Sequence, residues 1–211
     1  MDTKTFLGIE PIGQPGKADG QWAMVVKSSL VTGGQFLWGG AALAAAVSAM
    51  EQLSGRPCVW ATAQYLSYAR TNETMEIDVT LAVVGHQITQ ARAVGHVGDR
   101  EILTVNAALG ERAFEHRATF AKMPDVPMPS EIASREHRHP VENTIHERLD
   151  ERLVKGRELE DLNGEPNDGR TIMWARIPDV LSDVDAATLA VLGDFVPMAI
   201  GQAFVVRGGG K

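Results

Sequence analysis

The chain has 211 residues, of which 44% are hydrophobic, and its formal net charge is −7 at pH 7. This length suits one large domain or two small ones with a substantial core, and the acidic balance argues against nucleic acids and anionic membrane surfaces as main partners. Cys58 is the only cysteine, which excludes an intrachain disulfide and fits a reducing, cytoplasmic setting.

No secretory or membrane-spanning segment is predicted. The first five residues lack the basic and then apolar plan of a secretory signal. The longest apolar run, residues 36–50, is shorter than the roughly 20 residues that a membrane span needs. It therefore indicates a buried helix of the protein core.

A strand and then a long helix are predicted near the start of the chain. Residues 20–30 are strand-like, with Trp22 and Met24 on one face. Over residues 38–53 the many alanines and the absence of proline favour a helix that is apolar nearly all round, and hence buried. The glycine and proline within residues 54–57 end it.

Four strand-like segments follow the helix. They cover residues 58–69, 76–84, 87–97 and 101–109, and the second alternates cleanly between apolar and polar positions. Short glycine turns join the last three, so we expect antiparallel hairpins. A sheet wrapped around the central helix would bury that helix on all sides.

The middle of the chain differs in composition. Residues 123–129 are rich in proline and predict a linker, and charged residues dominate from 131 to 170. Within that region Ile145, Leu149 and Leu153 recur every fourth residue, which indicates a helical turn or two.

The end of the chain repeats part of its beginning. Trp22 precedes Gly39 by 17 positions, and Trp174 precedes Gly193 by 19, within similar apolar surroundings. We therefore expect an N-terminal unit at residues 1–121, a charged, proline-rich linker at 122–170, and the start of a second, incomplete unit at 171–211. A helical stretch is expected from residue 186 to 196, interrupted by Pro197.

Asp194 is the best candidate for chemistry, because an aspartate in an apolar stretch is costly unless it is paired or hydrated. If Pro197 lies in the first turn of a second-unit helix, Asp194 is its N-cap, and a plain capping role is one interpretation. The other is a carboxylate that acts as a general base or nucleophile. Gly39 and Gly40 hold the equivalent place in the first unit, where backbone amides could approach a ligand carbonyl. A glycine pair also permits close packing of a helix on a sheet, and by itself that is the favoured interpretation.

A metal site is not expected. His137, His139 and His146 are close in sequence, but the region is highly charged and no cysteine joins them, so a solvated linker is the favoured interpretation. His86 and His96 are expected at the surface. Cys58 has no basic neighbour that would mark it as a nucleophile.

Four stretches, in this order, resemble the acyl-CoA thioesterase II family of double hotdog thioesterases. They read GQFLWGG at residues 34–40, RPCVWATAQYLSYA at 56–69, GHQITQARA at 85–93 and LGDF at 192–195. The resemblance implies an α+β fold of two hotdog units, each a long buried helix wrapped by an antiparallel sheet, with the second unit incomplete. It also suggests a strand at residues 145–153 in place of the helical turns, and both alternatives stay open.

The resemblance also implies an activity, the hydrolysis of acyl-CoA to free acid and CoA without a cofactor. Asp194 matches the family's catalytic aspartate, and the backbone near Gly39, Gly40 and Gly193 would help to hold the thioester. The Ser or Thr and the Gln that assist the aspartate in the family would follow residues 208–210, where the given sequence ends.

Two other functions remain open at this stage. One is a catalytically inactive acyl- or CoA-binding hotdog protein, or a structural partner. The other is a hydratase or dehydratase, which is less favoured because such hotdog enzymes carry a histidine in the helix region. Exposed strand edges of an unfinished sheet would pair with other chains, so a homo-oligomer is expected in the enzymatic and the inactive case.

Overall fold

The computed structural model describes residues 1–111, 118–135, 142–157, 166, 168–178, 180, 184–195 and 203. The chain begins with helix α1, Thr3–Leu7, which the sequence did not predict. Asp2 caps its start by accepting a hydrogen bond from the Thr5 amide, and Gly8 ends it at a φ of 69°. Two strands follow, β1 at Glu10–Pro11 and β2 at Asp19–Val25.

The long buried helix is confirmed as α2, Gly39–Ser54. Residues from Gly40 to Met50 are buried with the exception of Leu43, which is half-buried. Gly55 ends the helix in the left-handed conformation that favours glycine, at a φ of 66°. Because apolar residues surround its axis, α2 is stable only inside a layer of other elements.

That layer is one antiparallel sheet. Its four remaining strands are β3 at Cys58–Tyr65, β4 at Thr74–Val84, β5 at Ile88–Val97 and β6 at Arg100–Gly110. The strand order is β1-β2-β4-β5-β6-β3, so β3 forms an edge of the sheet. Helix α2 packs against each strand from β2 to β6, which is the predicted wrapped arrangement of a hotdog unit.

The alternation expected in β4 holds over most of the strand and then fails. Ile77, Val79 and Leu81 are buried, whereas Val83, expected on the same face, is 58% exposed. The register of β4 against β5 shifts between Leu81 and Val83. This bulge adds one residue to the strand and reverses the side to which later residues point.

In the middle of the chain, where helical turns and a strand were both considered, the structure has a short helix and then a strand. Ile145–Arg148 forms a short 3₁₀ helix, and strand β7 follows at Asp150–Lys155. β7 pairs antiparallel with β8, Ile172–Arg176, in a separate two-stranded sheet. Leu153, the third member of the predicted helical pattern, lies in β7.

Helix α3, Ala186–Gly193, completes the described elements and packs against α2. Its N-cap is Asp185, whose side chain accepts from the Thr188 amide at 2.6 Å. The Thr3 and Thr188 hydroxyls form a buried hydrogen bond of 2.9 Å that joins α1 to α3. The second unit is therefore present in part. Within the described ranges, no helix has the length and apolar character to cross a membrane.

Candidate functional site

Asp194 lies where the two helices meet. It is the C-cap residue of α3, and its Oδ2 accepts a hydrogen bond from the Gly40 amide, in the first turn of α2, at 2.9 Å. Trp38, which precedes α2, provides no side-chain cap. Asp194 thus gives the start of α2 an acceptor from the second unit, and its charge faces the positive end of that helix.

Glycine at positions 39 and 40 permits this close approach. A Cβ at Gly40 would stand 2.4 Å from the Ala190 carbonyl oxygen and 2.9 Å from that of Val191. A Cβ at Gly39 would stand 3.0 Å from Asp194 Oδ2. The backbone of α2 therefore lies directly against the last turn of α3, and a larger residue at position 40 would push the helices apart.

Packing between Trp38 and Phe195 anchors the end of α3 beside Asp194. The two rings stack with centroids 4.1 Å apart, and the indole Nε1 of Trp38 donates to the Val191 carbonyl at 3.0 Å. Both side chains are buried. Since Phe195 directly follows Asp194, this packing sets the position of the carboxylate relative to α2.

The carboxylate of Asp194 is accessible to solvent but partly shielded by protein atoms. This desolvation raises the pKa of Asp194 above its usual value of 3.8, and the Gly40 hydrogen bond opposes the rise. A carboxylate with a raised pKa and limited hydration is a better proton acceptor than one in bulk water.

Tyr65 is a neighbour that the sequence did not single out as a site residue. Its hydroxyl donates to the Gly39 carbonyl oxygen at 2.8 Å. Burial, and next the charge of Asp194, raise the pKa of Tyr65 to about 12. The tyrosine lies within residues 56–69, one of the stretches on which the family resemblance rests. That position was the sequence signal that could have marked it as a site residue.

Three of the four predicted site residues meet in the structure, namely Gly39, Gly40 and Asp194. Gly193 is adjacent in sequence but ends α3 instead of starting a helix, and a Cβ there would meet none of the residues that the structure describes within 4 Å. Asp194 likewise follows a helix, and the expectation that it also starts one depends on Pro197, which lies outside the described residues.

The histidines do not form a metal site among the residues that the structure describes. His137 and His139 lie outside those residues. His146 is half-buried, with its ring 5.4 Å from that of Trp38 and 5.7 Å from that of Phe195. The solvated position expected for His146 is therefore wrong, because this ring packs into the aromatic cluster beside Asp194.

The other residues considered for chemistry have different surroundings. His86 is exposed, as expected, whereas His96 is half-buried and contacts the Asp78 carboxylate at 3.1 Å. Burial, and next the charge of Glu51, raise the pKa of Cys58. A raised pKa leaves less of the reactive thiolate, which agrees with a cysteine that is not a nucleophile.

A separate cavity of about 370 Å³ lies at the β7–β8 hairpin, and Asp194 does not line it. Arg152, in its wall, donates to the Pro129 and Ile132 carbonyls and to Asp150. These contacts tie the preceding loop to β7. Holding that loop in place accounts for the position of Arg152.

Comparison with known proteins finds similar solved structures. No family model and no curated protein matches the sequence. A proposed thioesterase from Novosphingobium aromaticivorans superposes with a TM-score of 0.76 at 27% identity, covering 92% of this chain and 74% of its own.

Two further solved structures extend this result. A hot dog fold protein of unknown function from Alicyclobacillus acidocaldarius has a TM-score of 0.76 at 20% identity, covering 95% of this chain and 72% of its own. A proposed thioesterase II from Thermobifida fusca has a TM-score of 0.61 at 14% identity, covering 72% of this chain and 54% of its own. The chain therefore has a hotdog fold, complete in its first unit and partial in its second, and thioesterases are among the proteins that it resembles in structure.

Proposed function

We propose that this protein hydrolyses acyl-CoA thioesters to free acid and CoA, with Asp194 as the base that activates water. The observation that carries the proposal is the partly desolvated Asp194 carboxylate at the N-terminus of α2. A base and a helix end that can stabilise negative charge thus lie side by side. The 27% identity to a proposed thioesterase over 92% of the chain supports it.

The proposed reaction needs these two features together. A water oxygen attacks the thioester carbonyl carbon while Asp194 accepts the water's proton, and the carbonyl oxygen gains negative charge. When the carbon–sulfur bond breaks, the CoA sulfur leaves and takes a proton. The Gly39 amide, at the first position of α2 where intrahelical bonding offers no partner, would donate to the developing oxyanion.

Gly40 and Gly193 would contribute space and orientation. The Gly40 amide holds the Asp194 carboxylate, and it therefore positions the base. No described residue crowds Gly193, which would leave room for the substrate next to that base. All three predicted glycines would thus serve the site, although by different means.

The second candidate function is an inactive acyl- or CoA-binding protein, and one observation favours it. Among the described residues, the Asp194 carboxylate accepts a hydrogen bond from the Gly40 amide, and no serine, threonine or glutamine side chain donates to it. Hydrolases commonly orient their base and water through such groups. Binding without turnover would distinguish this function from the first.

We also propose that the protein is a homo-oligomer that associates through β3. This strand forms an edge of the described sheet. It carries exposed apolar side chains, with Val59 62% and Trp60 55% exposed. Edge strands of this kind pair readily with another chain.

The experiment that tests the proposed function is release of the CoA thiol from a panel of acyl-CoAs of different chain length. Asp194→Asn should reduce kcat/KM by about 100-fold or more, because it removes the base while keeping an acceptor for the Gly40 amide. The matched control is Asp185→Asn at the other end of α3, where asparagine is an equally good N-cap.

The control variant should keep the parent's activity. Folded protein that releases no thiol from any member of the panel would contradict the proposed function. Binding of an acyl-CoA that is unchanged by Asp194→Asn, without turnover, would favour the inactive binding protein.

A further inference from the structure

Tyr65 and Asp194 hold opposite ends of one peptide group. The Gly39 carbonyl and the Gly40 amide belong to the same planar unit, and in a trans peptide the oxygen and the hydrogen point in opposite directions. Tyr65 donates to that oxygen at 2.8 Å, and the same peptide donates its N–H to Asp194 Oδ2 at 2.9 Å. A continuous hydrogen-bonded chain thus runs from the phenol to the carboxylate.

We propose that Tyr65 is a positioning residue that acts on Asp194 through the Gly39–Gly40 peptide. The inference deepens the proposed function and rests on Asp194 being the base. A hydrogen bond to a peptide oxygen polarises the peptide and makes its N–H a stronger donor. Tyr65 therefore orients the amide that holds Asp194 and strengthens the bond between them.

The sheet register explains why Tyr65 can reach this peptide. Tyr65 is the last residue of β3 and pairs with Leu103 of β6, whose side chain is fully buried. Directly opposed residues of an antiparallel pair point to the same face, so Tyr65 points toward α2. The end of β3 is therefore the place from which a side chain can touch the start of the helix.

Contacts at Gly39 support the same arrangement independently. The position where a Cβ would stand lies 3.4 Å from Tyr65 Cε1 and 3.0 Å from Asp194 Oδ2. The ring and the carboxylate therefore approach the same point from two sides. The raised pKa of Tyr65, about 12, keeps its hydroxyl protonated, so it remains a donor wherever the protein is active.

The test is the titration of the Asp194 carboxyl group, followed by carboxyl-carbon NMR and assigned with Asp194→Asn. Tyr65→Phe keeps the ring and removes the donor, so the carboxylate loses stabilisation and its titration midpoint should rise by about 0.2 to 0.6 pH unit. Tyr68→Phe is the matched control, because Tyr68 lies three residues further on and its hydroxyl contacts Arg70. It should leave the midpoint unchanged.

A purely structural tyrosine would give a different result. Tyr65→Phe would then lower the unfolding temperature and leave the Asp194 midpoint where it is, and this outcome would overturn the inference. In the predicted case the acid limb of kcat/KM also moves upward by the same amount as the NMR midpoint.

A second measurement applies if Tyr65→Phe does not fold. The chain has two tyrosines, so fluorotyrosine incorporated into Tyr68→Phe protein labels Tyr65 alone. Fluorination makes the phenol a stronger donor, and the Asp194 midpoint should then fall. A midpoint equal to that of unlabelled Tyr68→Phe protein would overturn the inference.

The titration separates this inference from the proposed function. If the midpoint moves as expected and no acyl-CoA is hydrolysed, Tyr65 acts on Asp194 and the proposed function is wrong. If hydrolysis depends on Asp194 and neither change at Tyr65 moves the midpoint, the inference is wrong and the proposed function stands.

Discussion

At the scale of single residues, two influences on the Asp194 carboxylate oppose each other. Its carboxylate accepts from the Gly40 amide and so caps α2, which stabilises the fold. The surrounding protein atoms raise its pKa, which favours the protonated form. The sequence posed Asp194 as the N-cap of a second-unit helix or as a general base. The cap seen here is that of α2, and the proposed role as a base is compatible with it.

The raised pKa gives a pH prediction for the hydrolysis. Below its pKa Asp194 is protonated and cannot accept a proton, so activity is lost as the pH falls through that value. Because desolvation raises the pKa, the acid limb of kcat/KM should have an apparent pKa above the usual 3.8. A pH–rate profile with a limb at or below 3.8 would show that another group controls it.

At the scale of elements, the crossing of α2 and α3 sets the site. The two helices approach so closely at Gly40 that carbonyl oxygens of Ala190 and Val191 occupy the space of a side chain. Gly193, at the end of α3, has no such neighbour within the described part of the chain. Close packing of the helices therefore requires glycine at position 40 and does not require it at position 193.

This difference predicts opposite outcomes for the same substitution. Gly40→Ala should reduce the free energy of unfolding by about 1–3 kcal/mol, because the added Cβ must displace backbone atoms. Gly193→Ala should change it by less than about 0.5 kcal/mol. Urea denaturation of both variants measures this, and equal losses would show that helix packing at position 40 is not the cause.

At the scale of the whole molecule, the β7–β8 hairpin bears on how the chain divides into units. We keep the division at residues 1–121, 122–170 and 171–211 as a proposal. β7 lies in the middle segment yet shares a sheet with β8 of the last one. The strand therefore pairs across the proposed boundary at residue 170, although its sequence is rich in charged residues.

The proposed oligomer gives a prediction at this scale. A lysine on an edge strand opposes pairing with another chain, so Val59→Lys on β3 should shift the protein toward smaller species in sedimentation velocity. Val25→Lys is the matched control, because Val25 is 49% exposed on β2, which has strand neighbours on both sides. Equal sedimentation of the two variants would exclude β3 as the contact.

The sequence by itself determined the long helix and the longer strands of the first unit. Apolar residues all round positions 38–53 leave burial as the stable outcome for that helix, and strict alternation fixes the buried face of β4 up to its bulge. A bulge, a two-residue strand such as β1 and a short helix such as α1 carry too few residues for a periodic signal. They depend on the surroundings instead.

Only the tertiary structure decided what surrounds Asp194. The sequence marked this aspartate as unusual, but its partner Gly40 is 154 positions away, and Tyr65 meets the same peptide from a third element. Periodicity reports contacts between near neighbours along the chain, whereas the docking of α3 on α2 follows from shape and glycine placement at the crossing. The sequence could therefore single out the Asp194 carboxylate as a candidate, but it could not show which helix this carboxylate caps.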